Sequence, residues 1–165
     1  DNVLISDKSS IYNPGRISIG SHVRIDDFCV LSAGDGGIEI GDYIHIAVFC
    51  SLIGAGKIML CDFANLSSRV SVYTSNDDYS GEYMTNPMVP SEYTGVTHAD
   101  VFIGKHTIIG SGSVILPGVT LEEGVAIGAL SLVDKKCSSF GIYRGSRRIG
   151  ERKRNLLMLE EQLAE

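Results

Sequence analysis

The chain has 165 residues, 44% hydrophobic and 21% charged, with 19 glycines, four prolines, no tryptophan and a net charge of −6. That is the size of one domain; the apolar fraction excludes a disordered chain, and glycine without an every-third spacing excludes collagen. An acidic balance argues against nucleic acid as a partner, because phosphate contacts come from clustered Lys and Arg.

Val3-Leu-Ile and Ser9-Ser-Ile read as two short strands, and from Ile17 a six-residue register takes over. It steps through Ile17, Val23 and Cys29, then Ile38, Ile44 and Cys50, then Ile58, Ala64 and Val70. After a long interruption it runs without a slip from Val101 through Thr107, Ser113, Val119, Val125 and Ser131. The third residue of all fifteen hexapeptides, from Ile19 to Val133, is Ile, Leu or Val, although those types make up only 44 of 165 positions. Positions one and three therefore point the same way in very short strands, and the Gly-, Asp- and Ser-rich remainder turns. Strands this short bury an inner face only by stacking, so the register predicts a solenoid with three hexapeptides per coil. The coils are 17–34, 38–55, 58–75, 101–118 and 119–136. Cys29 and Cys50 hold the same inward position one coil apart and are read as small core residues.

All the extra residues follow a third hexapeptide: 15–16, 35–37, 56–57 and the 25-residue segment 76–100. They leave one edge of the prism, the usual binding side of a repeat array. The long segment holds three tyrosines, which favours an ordered loop, and its ends join adjacent coils. Asp77 and Asp78 at its exit are thus expected near His98 at its return, an arrangement suited to acid–base chemistry with a carboxylate orienting the imidazole. Asn76, Glu82 and Tyr83 are the accompanying substrate-binding candidates.

Residues 142–165 form a basic segment and a C-terminal helix after the 1–141 solenoid. Six of the eleven residues 144–154 are basic. Leu156, Leu159 and Leu163 form one stripe, read as a cap on the last coil or on a neighbouring subunit. No apolar run approaches the roughly 18 residues of a membrane span, and the residues from Asp1 show no signal-peptide pattern. Four cysteines without CxxC or scaffold spacing fit a reducing, cytoplasmic setting. The four histidines lack metal-site spacing, so no metal is expected; His22, His45 and His106 read as surface residues.

The run Val101-Phe-Ile-Gly-Lys-His-Thr-Ile-Ile-Gly-Ser-Gly-Ser-Val-Ile-Leu-Pro-Gly-Val-Thr-Leu-Glu-Glu-Gly-Val-Ala-Ile-Gly-Ala resembles the hexapeptide-repeat acyltransferases. The resemblance implies an all-β, left-handed parallel β-helix working as a homotrimer, with active sites between subunits and acetyl-CoA or another acyl-CoA as co-substrate. Matching to galactoside acetyltransferases selects Ser111, Ala129 and Lys135 for the pantetheine arm, with Arg147 or Arg148 for phosphate. Many sugar O-acetyltransferases start the extruded loop with a catalytic His; here Asp77 stands in its place. Asp-Asp-Tyr-Ser-Gly-Glu resembles bacterial surface-polysaccharide enzymes that N-acylate nucleotide-linked 4-amino-4,6-dideoxy sugars. The implied activity is therefore acyl transfer to a sugar-nucleotide amine. Sugar O-acetylation and a non-catalytic assembly role are the alternatives.

Overall fold

Each six-residue unit places two apolar side chains inward and spends its remaining residues on a corner, and this alone generates the architecture. The computed structural model describes residues 1–164 as a triangular prism of short parallel strands. Of the fifteen third-position residues, fourteen are buried; Ile19, on an early coil, is half-buried. Cys29 and Cys50 are fully buried, as their register demanded, and their thiols donate to Ala47 O at 3.0 Å and Ser67 O at 3.1 Å.

The first face carries Val3–Ile5, Val23–Ile25, His45–Ile46, Asn65–Leu66, Ile108–Ile109, Ala126–Ile127 and Gly141–Arg144. The second carries Ser10–Tyr12, Val30–Ala33, Ser51–Gly54, Ser71–Tyr73, Val114–Ile115 and Leu132–Val133. The third carries Ile17–Ile19, Ile38–Ile40, Ile58–Leu60, Val101–Ile103 and Thr120–Leu121. Leu60 pairs with Ile103 and Leu66 with Ile109, so the stack closes across the long insertion without a break.

Corner chemistry differs from a simple glycine rule. The glycines after the inward Ile, such as Gly104 and Gly110, have ordinary φ and are required for closeness to the next coil. The left-handed position falls two residues later, where His22, Tyr43, Phe63 and His106 have φ of 58°, 56°, 60° and 58°. A bulky residue there costs about 1–2 kcal/mol. These four rings stack one per coil with centroids 4.5–4.9 Å apart. Stacking returns about 0.5–1.5 kcal/mol per pair and largely offsets the strain.

The basic segment begins as the last strand of the first face and returns antiparallel as Arg147–Glu151. The helix Asn155–Ala164 follows. Its leucine stripe does not cap the last coil: Leu156 is half-buried, whereas Leu159 and Leu163 are exposed. Glu160 attaches the helix instead, pairing with Lys105 and, at 2.7 Å, with His106 Nε2. His106 is therefore covered rather than a surface residue, because the helix and the Phe63 ring close over it. His45 is half-buried and pairs with Asp26 at 2.8 Å, while His22 stays exposed.

Candidate active site

The long loop leaves the corner between the second and third faces through a two-rung antiparallel ribbon. Ser75–Asn76 pairs with Thr97–His98, Ser75 facing His98 and Asn76 facing Thr97. Its neck is fixed from inside: Thr74 is fully buried and donates to Gly56 O, and Asp100 Oδ1 accepts from Lys57 N at 2.8 Å. Gly54 is obligatory here, since an added Cβ would lie 2.1 Å from Thr74 Oγ1.

The ribbon register decides His98's partner. Its Nδ1 lies 2.8 Å from Ser75 Oγ, which also accepts from Ala55 N at 2.8 Å. Neither aspartate is hydrogen-bonded to the imidazole, contrary to the expectation from adjacency, because Asp77 and Asp78 lie beyond the residue that pairs across the ribbon. Asp78 instead organises the loop: its carboxylate accepts from Ser80 Oγ and N, Gly81 N and Tyr83 N. These bonds, led by the Ser80 hydroxyl, hold its pKa below the usual carboxylate value. Asp78, expected among the catalytic residues, is here engaged in the turn of its own loop.

Asp77 and Asn76 line a cleft of about 330 Å³ at the loop root. Ser75, Tyr73 and Tyr79 share the cleft, and Val114, Leu116 and Pro117 of the next coil complete its lining. Among the described residues, the Asp77 carboxylate has no hydrogen-bond or ion-pair partner and is open to a ligand. Glu82 and Tyr83, expected to bind substrate, are not in this cleft. The Tyr83 ring packs on Gly95, where an added Cβ would be 2.5 Å from Cδ2, so it shapes the loop. Sequence reasoning missed Ser75, Tyr73 and Tyr79. Ser75 reads as the last residue of a repeat, and nothing in the periodicity marks it as the imidazole's partner.

Ser111 and Ala129 lie one rung apart on the corner between the first and second faces, linked by Leu130 N donating to Ser111 O at 2.8 Å. Both are exposed, and among the described residues neither backbone N–H donates to another group. Two free donors at rung spacing are available to the carbonyl oxygens of an extended ligand. The next turn on this corner is the hairpin tip, where Gly145 N donates to Ser131 Oγ and Ser146 Oγ donates to Asp134 Oδ1 at 2.6 Å. These bonds bring Arg144 and Arg147 beside the Asp134–Lys135 turn. Lys135, Arg144, Arg147 and Arg148 are exposed and have no carboxylate partner among the described residues. A larger hollow of about 470 Å³ lies on the third face, lined by Glu39, Met59, Cys61, Asp62 and Lys105. It holds none of the candidate site residues. No cluster of three metal-ligating side chains occurs among the described residues.

The chain is thus an uninterrupted parallel β-helix with one organised loop and an exposed basic hairpin, a β-solenoid. The bacterial transferase hexapeptide (six repeats) family matches residues 100–135. The dTDP-4-amino-4,6-dideoxy-D-glucose acyltransferase of Escherichia coli is 60% identical over 97% of this chain and 84% of its own length. The structure of AntD, an N-acyltransferase from Bacillus cereus in complex with dTDP and 3-hydroxybutyryl-CoA, superposes with a TM-score of 0.92. Its identity is 48%, over 99% of this chain and 87% of that one. A maltose O-acetyltransferase from Clostridium difficile, 19% identical over 92% of this chain and 67% of that one, shares the fold with a TM-score of 0.61. The chain belongs to the hexapeptide-repeat, left-handed β-helix acyltransferases. It is an acyl-CoA-dependent sugar acyltransferase, as its resemblance implied.

Proposed function

We propose that the protein transfers an acyl group from acyl-CoA to the 4-amino group of a dTDP-linked 4-amino-4,6-dideoxy hexose, in the cytoplasm, for bacterial surface polysaccharide. The enzyme's class is a coenzyme A-dependent acyltransferase with a nucleotide-linked amino sugar as acceptor. The observation that carries the finer reading is the unpartnered Asp77 carboxylate in the loop-root cleft. A carboxylate there suits an ammonium better than a hydroxyl: it attracts the cation and takes up the proton released when the amine becomes nucleophilic. In the tautomer that carries its proton on Nδ1 and donates it to Ser75 Oγ, His98 offers Nε2 as a second proton acceptor at the ribbon. The neutral amine attacks the thioester carbon, the tetrahedral intermediate collapses, and the C–S bond breaks. The attacking nitrogen gives up one proton as the amide forms, and coenzyme A leaves as a thiolate that takes up that proton.

The donor is held by Ser111 and Ala129 N–H along its arm and by Lys135, Arg147 and Arg148 at its phosphates, where charge-assisted bonds are strongest. The Ser111–Ala129 turns and the loop cleft lie on opposite edges of the second face, so a homotrimer brings one subunit's Ser111–Ala129 edge against its neighbour's cleft; the Lys135 turn lies on the loop's own edge. Exposed apolar side chains support such packing, with Phe28 and Phe49 on early coils of this corner and Leu130 and Leu132 on a late coil.

Thiol release from acetyl-CoA tests the reading. Turnover is expected with dTDP-4-amino-4,6-dideoxyglucose and not with dTDP-6-deoxyglucose or simple galactosides. Asp77→Asn lowers kcat/KM by about 100-fold or more, the scale of a positioned acid–base group. Arg147→Ala with Arg148→Ala raises the KM for acyl-CoA about tenfold, consistent with loss of a charge-assisted contact. Release with a hydroxyl acceptor and none with the amine refutes it.

A further inference from the structure

The loop-root cleft has two chemically different sides. One is polar, made by Ser75, Asn76 and Asp77; the other is built from Val114, Leu116 and Pro117, with Tyr73 joining them. The fold explains the second side. Tyr73, Val114 and Leu116 occupy outward positions on the second face, and the ladder sets Ser71 beside Val114 and Val72 beside Ile115. Tyr73 thus stands next to Leu116, one rung spacing away, and next to Ile53 on the rung before. Outward positions on a solenoid are normally polar. Here Ile53, Tyr73, Val114 and Leu116 are apolar in one block and half-buried in a single chain.

We infer that Tyr73, Val114 and Leu116 form the wall that receives the acyl chain of the donor and sets its length. The inference rests on the acyl-transfer reading and names what that reading leaves open. The reacting carbonyl must lie between the amine held at Asp77 and the pantetheine arm. The carbon chain beyond it then meets the apolar part of the cleft lining, Tyr73, Val114 and Leu116. That surface has no hydrogen-bonding side chain except the Tyr73 hydroxyl, so it favours hydrocarbon over a charged or hydrated group. The cleft, of about 330 Å³, must also admit the reacting end of a sugar, which favours a short chain. The enzyme therefore prefers acyl groups of two to four carbons over longer ones.

The experiment measures kcat/KM for acetyl-, propionyl-, butyryl- and hexanoyl-CoA with saturating dTDP-4-amino-4,6-dideoxyglucose. Native enzyme turns over the first three and discriminates against hexanoyl-CoA. Leu116→Ala and Tyr73→Ala raise the hexanoyl-to-acetyl ratio by about tenfold, the usual worth of a methylene in an apolar pocket. Leu116→Phe lowers the butyryl-to-acetyl ratio and serves as the readout where a cavity-forming variant is too unstable to assay. Donor ratios unmoved in active variants overturn the wall while leaving the acyl-transfer reading intact. Absence of native turnover with every donor overturns that reading and the wall with it. A third outcome also overturns it: donor ratios hold, but discrimination between 6-deoxy and 6-hydroxy acceptors is lost. That result assigns the apolar wall to the methyl group of the sugar.

Discussion

Gly110→Ala separates the demands of the scaffold from those of the donor corner. Gly110 has an ordinary backbone φ, so only space requires glycine there. An added Cβ would lie 2.4 Å from Ala129 N, 2.7 Å from Ala129 Cα and 2.8 Å from Gly128 C, where ordinary contact begins near 3.4 Å. All three atoms are backbone, so no side chain can rotate away and the rung itself must retreat by about 1 Å, since overpacked cores relax through the backbone. Overpacking of this kind costs about 1–3 kcal/mol. The smaller entropy of the unfolded alanine chain returns about 0.4–1 kcal/mol. The net is about 1–2 kcal/mol, or roughly 2–8 °C in Tm for a domain of this size. The same retreat displaces Ala129 from Ser111, and the KM for acyl-CoA is expected to rise about tenfold, within the range that a 1 Å misplacement produces. Gly104→Ala is the matched control: its Cβ would meet Leu121 O at 2.7 Å and Glu122 C at 2.8 Å, on a different corner. Thermal melts and donor kinetics on both variants decide the matter. Native Tm in both refutes the close-approach argument. Equal KM changes in both refute the assignment of the donor to the Ser111–Ala129 corner.

Two further outcomes follow from ion pairs that fasten the C-terminal end. Glu122 is drawn down to about 2 by the Lys136 ammonium and by the Ser139 N–H and hydroxyl. A depressed carboxylate contributes stability above its unfolded pKa and loses it as pH falls through the folded value. The Tm difference between native protein and Glu122→Gln should therefore be full above about pH 5 and vanish toward pH 2. An unchanging difference across that range would contradict the pairing. Glu160 is likewise held low, by Lys105 first and then His106. Glu160→Ala should speed amide exchange across Asn155–Ala164 severalfold while changing Tm little, since pairs near the surface contribute about 1 kcal/mol or less. Protection retained in that variant would show that other contacts hold the helix.

Much of this molecule is legible in its sequence because a solenoid repeats one local rule. Each hexapeptide supplies its own inward residues and its own turn, and its neighbours in space are its neighbours in register. The fifteen apolar third positions, the coil boundaries and the edge where the loop emerges follow from periodicity alone. Even the donor corner is a register position, which is why Ser111 and Ala129 fall in line with the hairpin tip. Handedness was not legible there and came only with family resemblance. The loop and the tail obey no period, and there the tertiary structure decided. Asp77 and Asp78 are adjacent and identical in type, yet Asp78 turns into the loop to accept four hydrogen bonds while Asp77 faces the cleft. His98 finds Ser75 because the antiparallel ribbon sets them opposite each other. His106 is covered because a helix from residues 155–164 folds back onto it. In each case the partner is distant along the chain or chosen by a single pairing register, and hydropathy patterns carry no information about either. Local chemistry repeated along the chain determined the scaffold; contacts across the loop and the tail determined which of its polar residues are free to act.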